Sequence, residues 1–242
     1  MPFAPINLSY DLQNKLENFV KNHNFIELYK EYRWHRDTWQ NGFPDILKLE
    51  KEITNIARNN FLRKEDILSV ATWGSKEKFN LQKIESPKIL PLSLYDKNGY
   101  PDKRIEKDPL IPLKELQANT KGLGPTYLSK ILRFALPSEF GAIDTRIVRV
   151  VGEGDPNSKR QEWLSLKVRK DGQCIPKNQS AWPSEYFTWI NILRFFAHFL
   201  NKSGKFCPHP KDFLKEGLRT PGVWTCADVE MALFSYASKN IK

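Results

Sequence analysis

Cysteine, histidine and methionine are scarce in this chain, and their scarcity argues against several kinds of site. The 242 residues include three cysteines, four histidines and two methionines. An odd number of widely spaced cysteines, Cys174, Cys207 and Cys226, fits reduced thiols rather than a disulfide framework. Cys207 and His209 are close in sequence but have no partners at metal-ligand spacing, so we expect both to be structural.

Long apolar runs are also missing. The stretch from Ile190 to Leu200 is among the longest, yet it is interrupted by Asn191, Arg194 and His198 and is too short to span a bilayer. The first five residues, MPFAP, contain no basic stretch followed by an apolar core, which argues against a secretion signal. We therefore expect no membrane partner and a cytoplasmic, nucleoid-associated location.

Basic and aromatic residues, by contrast, are abundant. The chain has 38 basic and 28 acidic residues, a formal net charge of +10, and 15 Phe, 8 Tyr and 7 Trp. Lysine and arginine side chains displace counterions from a polyanion, and aromatic rings stack on nucleic-acid bases. This composition suits a nucleic-acid partner, although charge alone fits ordinary solubility equally well.

Apolar residues at helical spacing predict helices along most of the chain. The predicted helices are two within Leu8 to Tyr32 with Ser9 as a cap, one at Ile46 to Phe61, one at Lys64 to Trp73, one at Ser184 to Asn201 with Ser184 as its cap, and one at Thr225 to Ser238. Asp228 and Glu230, near the start of the last helix, are expected to interact with its dipole.

Two segments predict irregular structure. Residues 86–112 carry five prolines and the turn sequence DKNG, which favours a connector with at most a short hairpin. Residues 152–182 are polar and irregular, with a turn expected at 170–173, and we interpret them as an insertion.

The middle of the chain carries the most informative motif. Apolar residues before and after the sequence KGLGP predict a helix, a tight hairpin and a second helix that begins at Pro125. Gly122 and Gly124 allow positive backbone φ and close approach of a ligand, while the new helix directs free N–H groups outward. Such a turn can hold a phosphate, although a plain helical corner has the same pattern.

A single aspartate follows this hairpin. Asp144 lies between the apolar pair Ala142 and Ile143 and an amphipathic run over 147–151, a position typical of a helix N-cap. Taken alone, Asp144 would be interpreted as a cap and nothing more.

The hairpin and Asp144 together resemble the helix-hairpin-helix DNA glycosylases of the endonuclease III, adenine-mismatch, 8-oxoguanine and alkyladenine type. The resemblance rests on short sequence motifs and covers about a sixth of the chain. It implies an all-α, two-lobed fold. One lobe would contain residues 1–50 and 183–242; the other would contain residues 51–151, with the hairpin motif at 113–134. The insertion at 152–182 lies outside this scheme.

The resemblance also implies roles for individual residues. Asp144 matches the catalytic aspartate of the family. The expected DNA contacts, at the hairpin and on the helices beside it, are Lys121, Gly122, Leu123, Gly124, Thr126, Lys130 and Arg146.

One departure from the family concerns a lysine. Bifunctional members carry a lysine two residues after the second hairpin glycine, where this chain has Thr126, so strand cleavage through a Schiff base is in doubt. Lys130 lies one helical turn further on the same face and could replace that lysine. A phosphate contact or a solvated side chain is the alternative for Lys130.

The enzymes of this family flip a base out of the DNA, and the sequence gives weaker assignments for the residues that would surround that base. Ser69 and Trp73 lie where the family places an early helix beside the extruded base, and Trp34 could stack on DNA. Burial in the core is an equally good interpretation for Trp73 and a better one for Trp34.

These observations together predict a monomeric DNA glycosylase acting on double-stranded DNA. It would flip a damaged or modified base, hydrolyse the N-glycosidic bond and leave an abasic site, in repair or in attack on modified foreign DNA. No cofactor is expected: the family's four-cysteine iron–sulfur loop cannot be built here, although the hairpin could hold a monovalent cation. The alternatives are a bifunctional glycosylase and abasic-site lyase using Lys130, a non-catalytic DNA-binding module, and a scaffold for protein partners.

Overall fold

The computed structural model describes residues 1–75, 81–153 and 161–241, and this part of the chain is mostly helical. The helices are, in chain order, α1 (Tyr10–Asn22), α2 (Phe25–Lys30), α3 (Pro44–Ala57), α4 (Lys64–Gly74), α5 (Lys103–Lys107), α6 (Ile111–Asn119), α7 (Pro125–Ala135), α8 (Thr145–Val151), α9 (Ser184–Lys202), α10 (Lys211–Lys215) and α11 (Cys226–Asn240). All six helices predicted outside the central motif are confirmed as elements.

Two small antiparallel sheets accompany the helices. β1 (Arg33–Trp34) pairs with β2 (Asp37–Thr38), and β3 (Phe61–Arg63) pairs with β4 (Ile89–Pro91). The second pair shows that the prediction of a plain connector over 86–112 was incomplete, because the segment contributes both β4 and helix α5. Its alternate leucines at 90, 92 and 94 are all buried, which is the period-two signal of a strand entering the core.

Two predicted helix boundaries need correction. The helix predicted to reach Phe61 ends at Ala57, since Phe61 pairs with Pro91 in the second sheet. Ser184 is the first residue of α9 rather than its cap, and its hydroxyl donates to the Ala181 carbonyl at 3.0 Å. The cap of α1 is confirmed, because the Ser9 hydroxyl accepts a hydrogen bond from the Leu12 N–H.

Helix packing brings the middle of the chain against its C-terminal end. α7 packs against α3, α4 and α6, while α8 packs against α11, which also contacts α2 and α9. One hydrophobic core cluster includes residues from both ends and from the middle of the chain. Because this single core cluster does not separate the two predicted lobes, the division into two lobes stays a prediction.

Buried ion pairs connect three of these helices. Glu50 of α3 accepts hydrogen bonds from Arg133 of α7 at 2.6 Å and from Arg219 at 2.7 Å. Arg219 also donates to Asp228 of α11 at 2.9 Å, and all four side chains are at most 1% exposed. Each buried charge thus has an opposite charge in direct contact, as low-dielectric surroundings require.

The predicted dipole role fits Asp228, which lies in the first turn of α11, but needs correction for Glu230, which lies beyond that turn. Asp228 forms a capping box with Thr225 and pairs with Arg219. Although burial alone would raise the pKa of Asp228, the Arg219 guanidinium holds it below its usual range. Glu230 points into the core, with a carboxylate oxygen 3.7 Å from the Arg133 guanidinium.

The predicted insertion is described over residues 161–182, where the structure contains neither helix nor strand. Trp163, Leu164 and Leu166 anchor this segment in the core. A turn follows, closed by a hydrogen bond from the Arg169 N–H to the Cys174 carbonyl at 2.8 Å. Among the described residues, no helix is both long enough and apolar enough to cross a membrane.

Candidate active site

The hairpin between α6 and α7 has two glycines with different tasks. Gly122 has φ of +77°, and a Cβ there would lie 2.1 Å from the Lys83 carbonyl oxygen, so only glycine fits. Gly124 has φ of −99°, and a Cβ there would meet no described atom within 4 Å. The expectation of positive φ at both glycines is therefore wrong for Gly124, which instead leaves open space before α7.

A neighbouring strand-like segment holds the hairpin in place. Glu85 and Lys121 form a two-bond antiparallel bridge, with the N–H of each residue donating to the carbonyl of the other at 3.2 and 2.9 Å. The Lys121 side chain is 80% exposed and pairs with the Glu85 carboxylate. The hairpin is thus fixed from one side and presents the backbone of Gly124 to the other.

Asp144 is positioned by the buried segment that precedes it. The Ile143 N–H donates to the Ser129 hydroxyl of α7 at 3.0 Å, and the Trp189 indole of α9 donates to the Ala142 carbonyl at 3.1 Å. Asp144 caps α8, since its Oδ1 accepts a hydrogen bond from the Ile147 N–H at 2.9 Å. Its Oδ2 accepts no hydrogen bond from any described residue, and Asp144 lines a cavity.

Lys130 enters the same cavity from α7. The side chain is 6% exposed, its Nζ donates to the Gly74 carbonyl at 3.2 Å, and Nζ lies 4.9 Å from the Trp34 ring centroid and 5.3 Å from that of Trp73. Among the described residues, no carboxylate oxygen lies within 4.0 Å of Nζ. Within the part of the chain that the structure describes, the amine is therefore buried against aromatic rings without a direct ion pair.

The cavity that contains Asp144 and Lys130 has a volume of about 460 Å³. This is within the range of small-molecule sites, roughly 300–1,000 Å³. It is lined by the hairpin glycines, by residues of α7, by the start of α8, by Trp34 and Gly74, and by the turn residues 173–175 of the non-helical segment. We call it the hairpin cavity.

Burial shifts the ionisation of two groups at the hairpin cavity. Burial lowers the pKa of the Lys130 amine, although the charges of Asp144 and Glu230 act in the opposite direction. Burial raises the pKa of Glu230 to about 8, with Arg133 opposing the rise and Asp144 adding to it. At neutral pH the Glu230 carboxyl group is therefore mostly protonated, and a larger share of Lys130 is a neutral amine than in water.

The structure brings some of the predicted site residues together and separates others. Those that line the hairpin cavity are Asp144, Lys130, Gly122, Gly124, Thr126, Arg146 and Trp34. Leu123 is buried, and the Lys121 side chain extends from the hairpin into solvent. Ser69 and Trp73 line a neighbouring concavity, and the Trp73 indole donates to Asp37 at 2.9 Å.

Sequence reasoning missed several members of the site. Tyr127 and Arg149 line the hairpin cavity, as do Gln173, Cys174 and Ile175. Tyr127 and Arg149 could have been found, because both lie on helices that were already assigned to the motif. Residues 173–175 are far from the motif in sequence, and no local signal marks them.

A second group of side chains has the composition of a metal site. The ligand atoms of Cys207, His209 and Asp228 all lie within 4.8 Å of one another, and all three residues are buried. Both carboxylate oxygens of Asp228 already accept hydrogen bonds, from Arg219 and Thr225. A metal ion there would compete with a paired guanidinium, so this group is better explained as part of the buried charge network.

Chemically, the hairpin cavity combines a fixed carboxylate with a buried amine whose pKa is lowered by burial. A carboxylate in a site with little water stabilises positive charge that develops on a substrate. An amine with a lowered pKa is a nucleophile for electrophilic carbon.

The chain was compared with protein-family models, with curated proteins and with solved structures. No family model, no curated protein and no solved structure matches it.

Proposed function

We propose that the protein is a DNA glycosylase in which Asp144 drives release of a flipped base. The observation that carries the proposal is that Asp144, the Gly124 face of the hairpin and Lys130 all border one cavity. The proposal includes the two-lobed helical glycosylase architecture and double-stranded DNA as the partner. The net charge of +10 supports a polyanionic partner.

In the proposed reaction, the bond between the base nitrogen and C1′ of the deoxyribose breaks, and the base leaves with the bonding electron pair. The sugar acquires oxocarbenium character, and the free oxygen of Asp144 stabilises that positive charge. Water then attacks C1′ and gives up a proton to the carboxylate, and this proton passes on to the departing base, so that the carboxylate is ionised again at the end. The products are a free base and an abasic site.

Access to C1′ requires the nucleotide to leave the DNA stack. Base flipping costs a few kcal/mol, which is lowest for mismatched or damaged bases. At the N-terminus of α7, Pro125 has no N–H and the Tyr127 N–H donates to the Gly124 carbonyl, so the Thr126 N–H and the positive helix dipole are what this end offers to a DNA phosphate. The hairpin would in this way hold the strand while the base occupies the cavity.

The test is mass-spectrometric detection of free bases after incubation with a mixed panel of modified duplexes. We expect at least one base to be released, with one new abasic site per released base. Salt-dependent binding without release of any base would instead indicate a non-catalytic DNA-binding module. Absence of salt-dependent DNA binding would favour a scaffold for protein partners.

A second candidate activity, cleavage of the strand at the abasic site, is favoured by Lys130. Its neutral amine would attack C1′ of the open-chain aldehyde, water would leave as the imine forms, and elimination of the 3′ phosphate would cut the strand. The lowered pKa and the position in the hairpin cavity support this role.

Borohydride trapping on a duplex that carries an abasic site tests the role of Lys130. We expect a covalent protein–DNA adduct with the unmodified chain and none with Lys130→Met. The matched control is Lys51→Met, since Lys51 is exposed and pairs with Glu216 away from the cavity. An adduct that persists in Lys130→Met would exclude Lys130 as the nucleophile, and absence of any adduct would leave a monofunctional enzyme.

A further inference from the structure

Two tryptophan rings face the Lys130 amine. Trp34 comes from β1 and Trp73 from the end of α4, and their ring centroids lie 4.9 and 5.3 Å from Lys130 Nζ. The same amine donates to the carbonyl of Gly74, the residue after Trp73. The Phe134 ring, one helical turn after Lys130 on α7, packs edge-on against Trp73 with the centroids 4.9 Å apart. The place of the amine therefore depends on how the end of α4 is held.

A buried carboxylate holds Trp73. Asp37 is 0% exposed, and its Oδ2 accepts a hydrogen bond from the Trp73 indole N–H at 2.9 Å. Its Oδ1 accepts from the backbone N–H groups of Asp45 and Ile46, at 2.8 and 3.2 Å, in the first turn of α3. The residue at the N-cap position of α3 makes no side-chain cap bond, so Asp37 fills that role from outside the helix. Asp37 thus connects the Trp73 indole to the start of α3.

The β1–β2 strand pair connects this carboxylate to the other tryptophan. Asp37 is the partner of Trp34 across the two strands. The Trp34 indole N–H donates to the backbone carbonyl of Trp73 at 3.0 Å. Trp73 is therefore held by Asp37 at its side chain and by Trp34 at its backbone, and the rings of both tryptophans meet the Lys130 amine.

We propose that Asp37 is a positioning residue for Lys130, and that it acts through the Trp73 indole. Asp37 does not line the hairpin cavity. While it holds the indole, the Gly74 carbonyl and the two rings confine the amine at the cavity, where an electrophilic carbon would be attacked. A carboxylate that only stabilised α3 would leave the chemistry of Lys130 unchanged. This role rests on the strand-cleaving activity proposed above for Lys130.

Loss of the hydrogen bond between Asp37 and Trp73 should release the end of the Lys130 side chain. Lysine has a flexible four-carbon stem, so a released amine reaches water and takes up a proton more readily. We expect the pH at which half of the amine is protonated to rise by about one unit, which slows reaction of the amine at pH 7 about tenfold. The charged groups near the amine are Asp144, Glu230, Arg133 and Arg146. All four are the same in every variant below, so a change in the midpoint reports the position of the amine.

Competitive acetylation of the full chain measures this midpoint without DNA. Trace acetic anhydride is added between about pH 6 and pH 10 together with a simple amine as internal reference, and peptide mass spectrometry gives the acetylated fraction of Lys130. The variants are Asp37→Asn, Trp73→Phe and the two combined. Trp73→Phe removes the indole N–H but leaves the Asp37 charge and its bonds to α3 in place. Circular dichroism verifies that each variant is folded.

Trp39→Phe is the matched control. The Trp39 indole also donates to a backbone carbonyl, that of Pro208, at 2.6 Å, and its ring also lies near a lysine, with Lys30 Nζ 5.6 Å from the centroid. Trp39 does not line the hairpin cavity. The control therefore removes an equivalent hydrogen bond and ring without touching the surroundings of Lys130.

We expect Asp37→Asn and Trp73→Phe each to raise the Lys130 midpoint by about one unit and Trp39→Phe to leave it unchanged. The combined variant should show no further rise, because Asp37 acts through the indole that Trp73→Phe has already removed. An unchanged midpoint in either single variant, an equal rise in Trp39→Phe, or a combined shift equal to the sum of the two single shifts would overturn the proposal.

Borohydride trapping on the abasic duplex connects this role to the proposed reaction. We expect trapping by Trp73→Phe to slow about tenfold at neutral pH while DNA affinity stays unchanged. The expected midpoint shifts without any trapping by the unmodified chain would remove the strand-cleaving activity and leave the positioning of the amine standing. Trapping at the unmodified rate in Trp73→Phe would overturn the positioning role and leave the strand-cleaving activity standing.

Discussion

Two regions of the protein bury positive charge in opposite ways. In the core, Arg133 and Arg219 share the carboxylate of Glu50, with N–O distances of 2.6 and 2.7 Å, and Arg219 also binds Asp228. At the hairpin cavity, Lys130 is similarly buried, but its amine contacts a carbonyl oxygen and aromatic rings rather than a carboxylate.

This difference indicates what each region is for. Paired buried charges connect α3, α7 and α11. They are chemically unreactive because each guanidinium is neutralised by a carboxylate in direct contact. A buried amine without a carboxylate in contact loses part of its proton affinity, so less free energy is needed to deprotonate it. The core network serves stability, whereas in the proposed function the hairpin cavity gives up some stability for reactivity.

The largest expected effect comes from breaking the core network. Glu50→Gln leaves two buried guanidinium groups without a shared counter-charge, and we expect the free energy of unfolding to fall by about 3–5 kcal/mol. Urea unfolding followed by circular dichroism measures the change. The control, Glu216→Gln, removes the partner of exposed Lys51 and should cost less than about 1 kcal/mol. Equal losses in the two variants would mean that the core network contributes no more than a surface pair.

The second prediction concerns pH. The pKa of Glu230 is raised to about 8 by burial, above its ordinary value of 4.5, so the folded state binds this proton more tightly than the unfolded state. Its contribution to stability is present below pH 4.5 and is lost as the pH rises through about 8. Within this window each pH unit changes the free energy of unfolding by at most ~1.4 kcal/mol for this group.

Urea midpoints between pH 5 and pH 9, compared between the unmodified chain and Glu230→Gln, measure this contribution. Glu139 has a pKa raised to about 7 by burial, and its effect is common to both proteins and cancels in the difference. We expect the stability of Glu230→Gln to fall less with rising pH. Parallel curves would show that Glu230 is already ionised in the folded protein at neutral pH.

A third prediction separates the two glycines at the edge of the hairpin cavity. Gly122→Ala places a Cβ against the Lys83 carbonyl at a positive φ, and we expect a loss of about 1–3 kcal/mol in the free energy of unfolding. Gly124→Ala, where the added carbon meets open space, should change stability by less than about 0.5 kcal/mol and weaken DNA binding. Weaker binding is measured by fluorescence anisotropy. Equal stability losses would contradict the different tasks assigned to the two positions.

A smaller effect on stability than at Glu50 or Gly122 is expected at Lys130. Lys130→Met replaces a buried amine, which has no carboxylate partner among the described residues, with an apolar side chain of similar length, so the free energy of unfolding should change by about 1 kcal/mol or less. Because burial lowers the folded-state pKa of Lys130, the unmodified chain should lose stability relative to the variant as the pH falls through that pKa. A loss as large as that of Glu50→Gln would show that Lys130 is a structural cation.

Local sequence patterns predicted the helices and the hairpin well, because the spacing of apolar residues and the GLG turn are set by short-range sterics. They failed at helix boundaries and where a partner is distant in sequence. Ser184 carries a side chain that suits a cap, but the cap position belongs to Pro183. β4 was not predicted because the prolines of its segment suggested a connector, although leucine at every second position, 90, 92 and 94, enters the core.

The candidate site shows the same limit. Asp144, Lys130 and the glycines lie within one continuous motif, so sequence alone placed them together. The position of Lys130 among aromatic rings depends on Trp34 and Trp73, and the raised pKa of Glu230 depends on the packing of α11 against α8. No local pattern encodes contacts between segments so far apart.

The most direct test of the account is base release by Asp144→Asn at DNA concentrations that saturate binding. Asparagine keeps the N-cap of α8, because it caps helices about as well as aspartate, but it removes the negative charge from the hairpin cavity. We predict that base release falls by ~100-fold or more while DNA affinity is nearly unchanged. Release at the rate of the unmodified chain would contradict the account, because the carboxylate would then have no part in the chemistry.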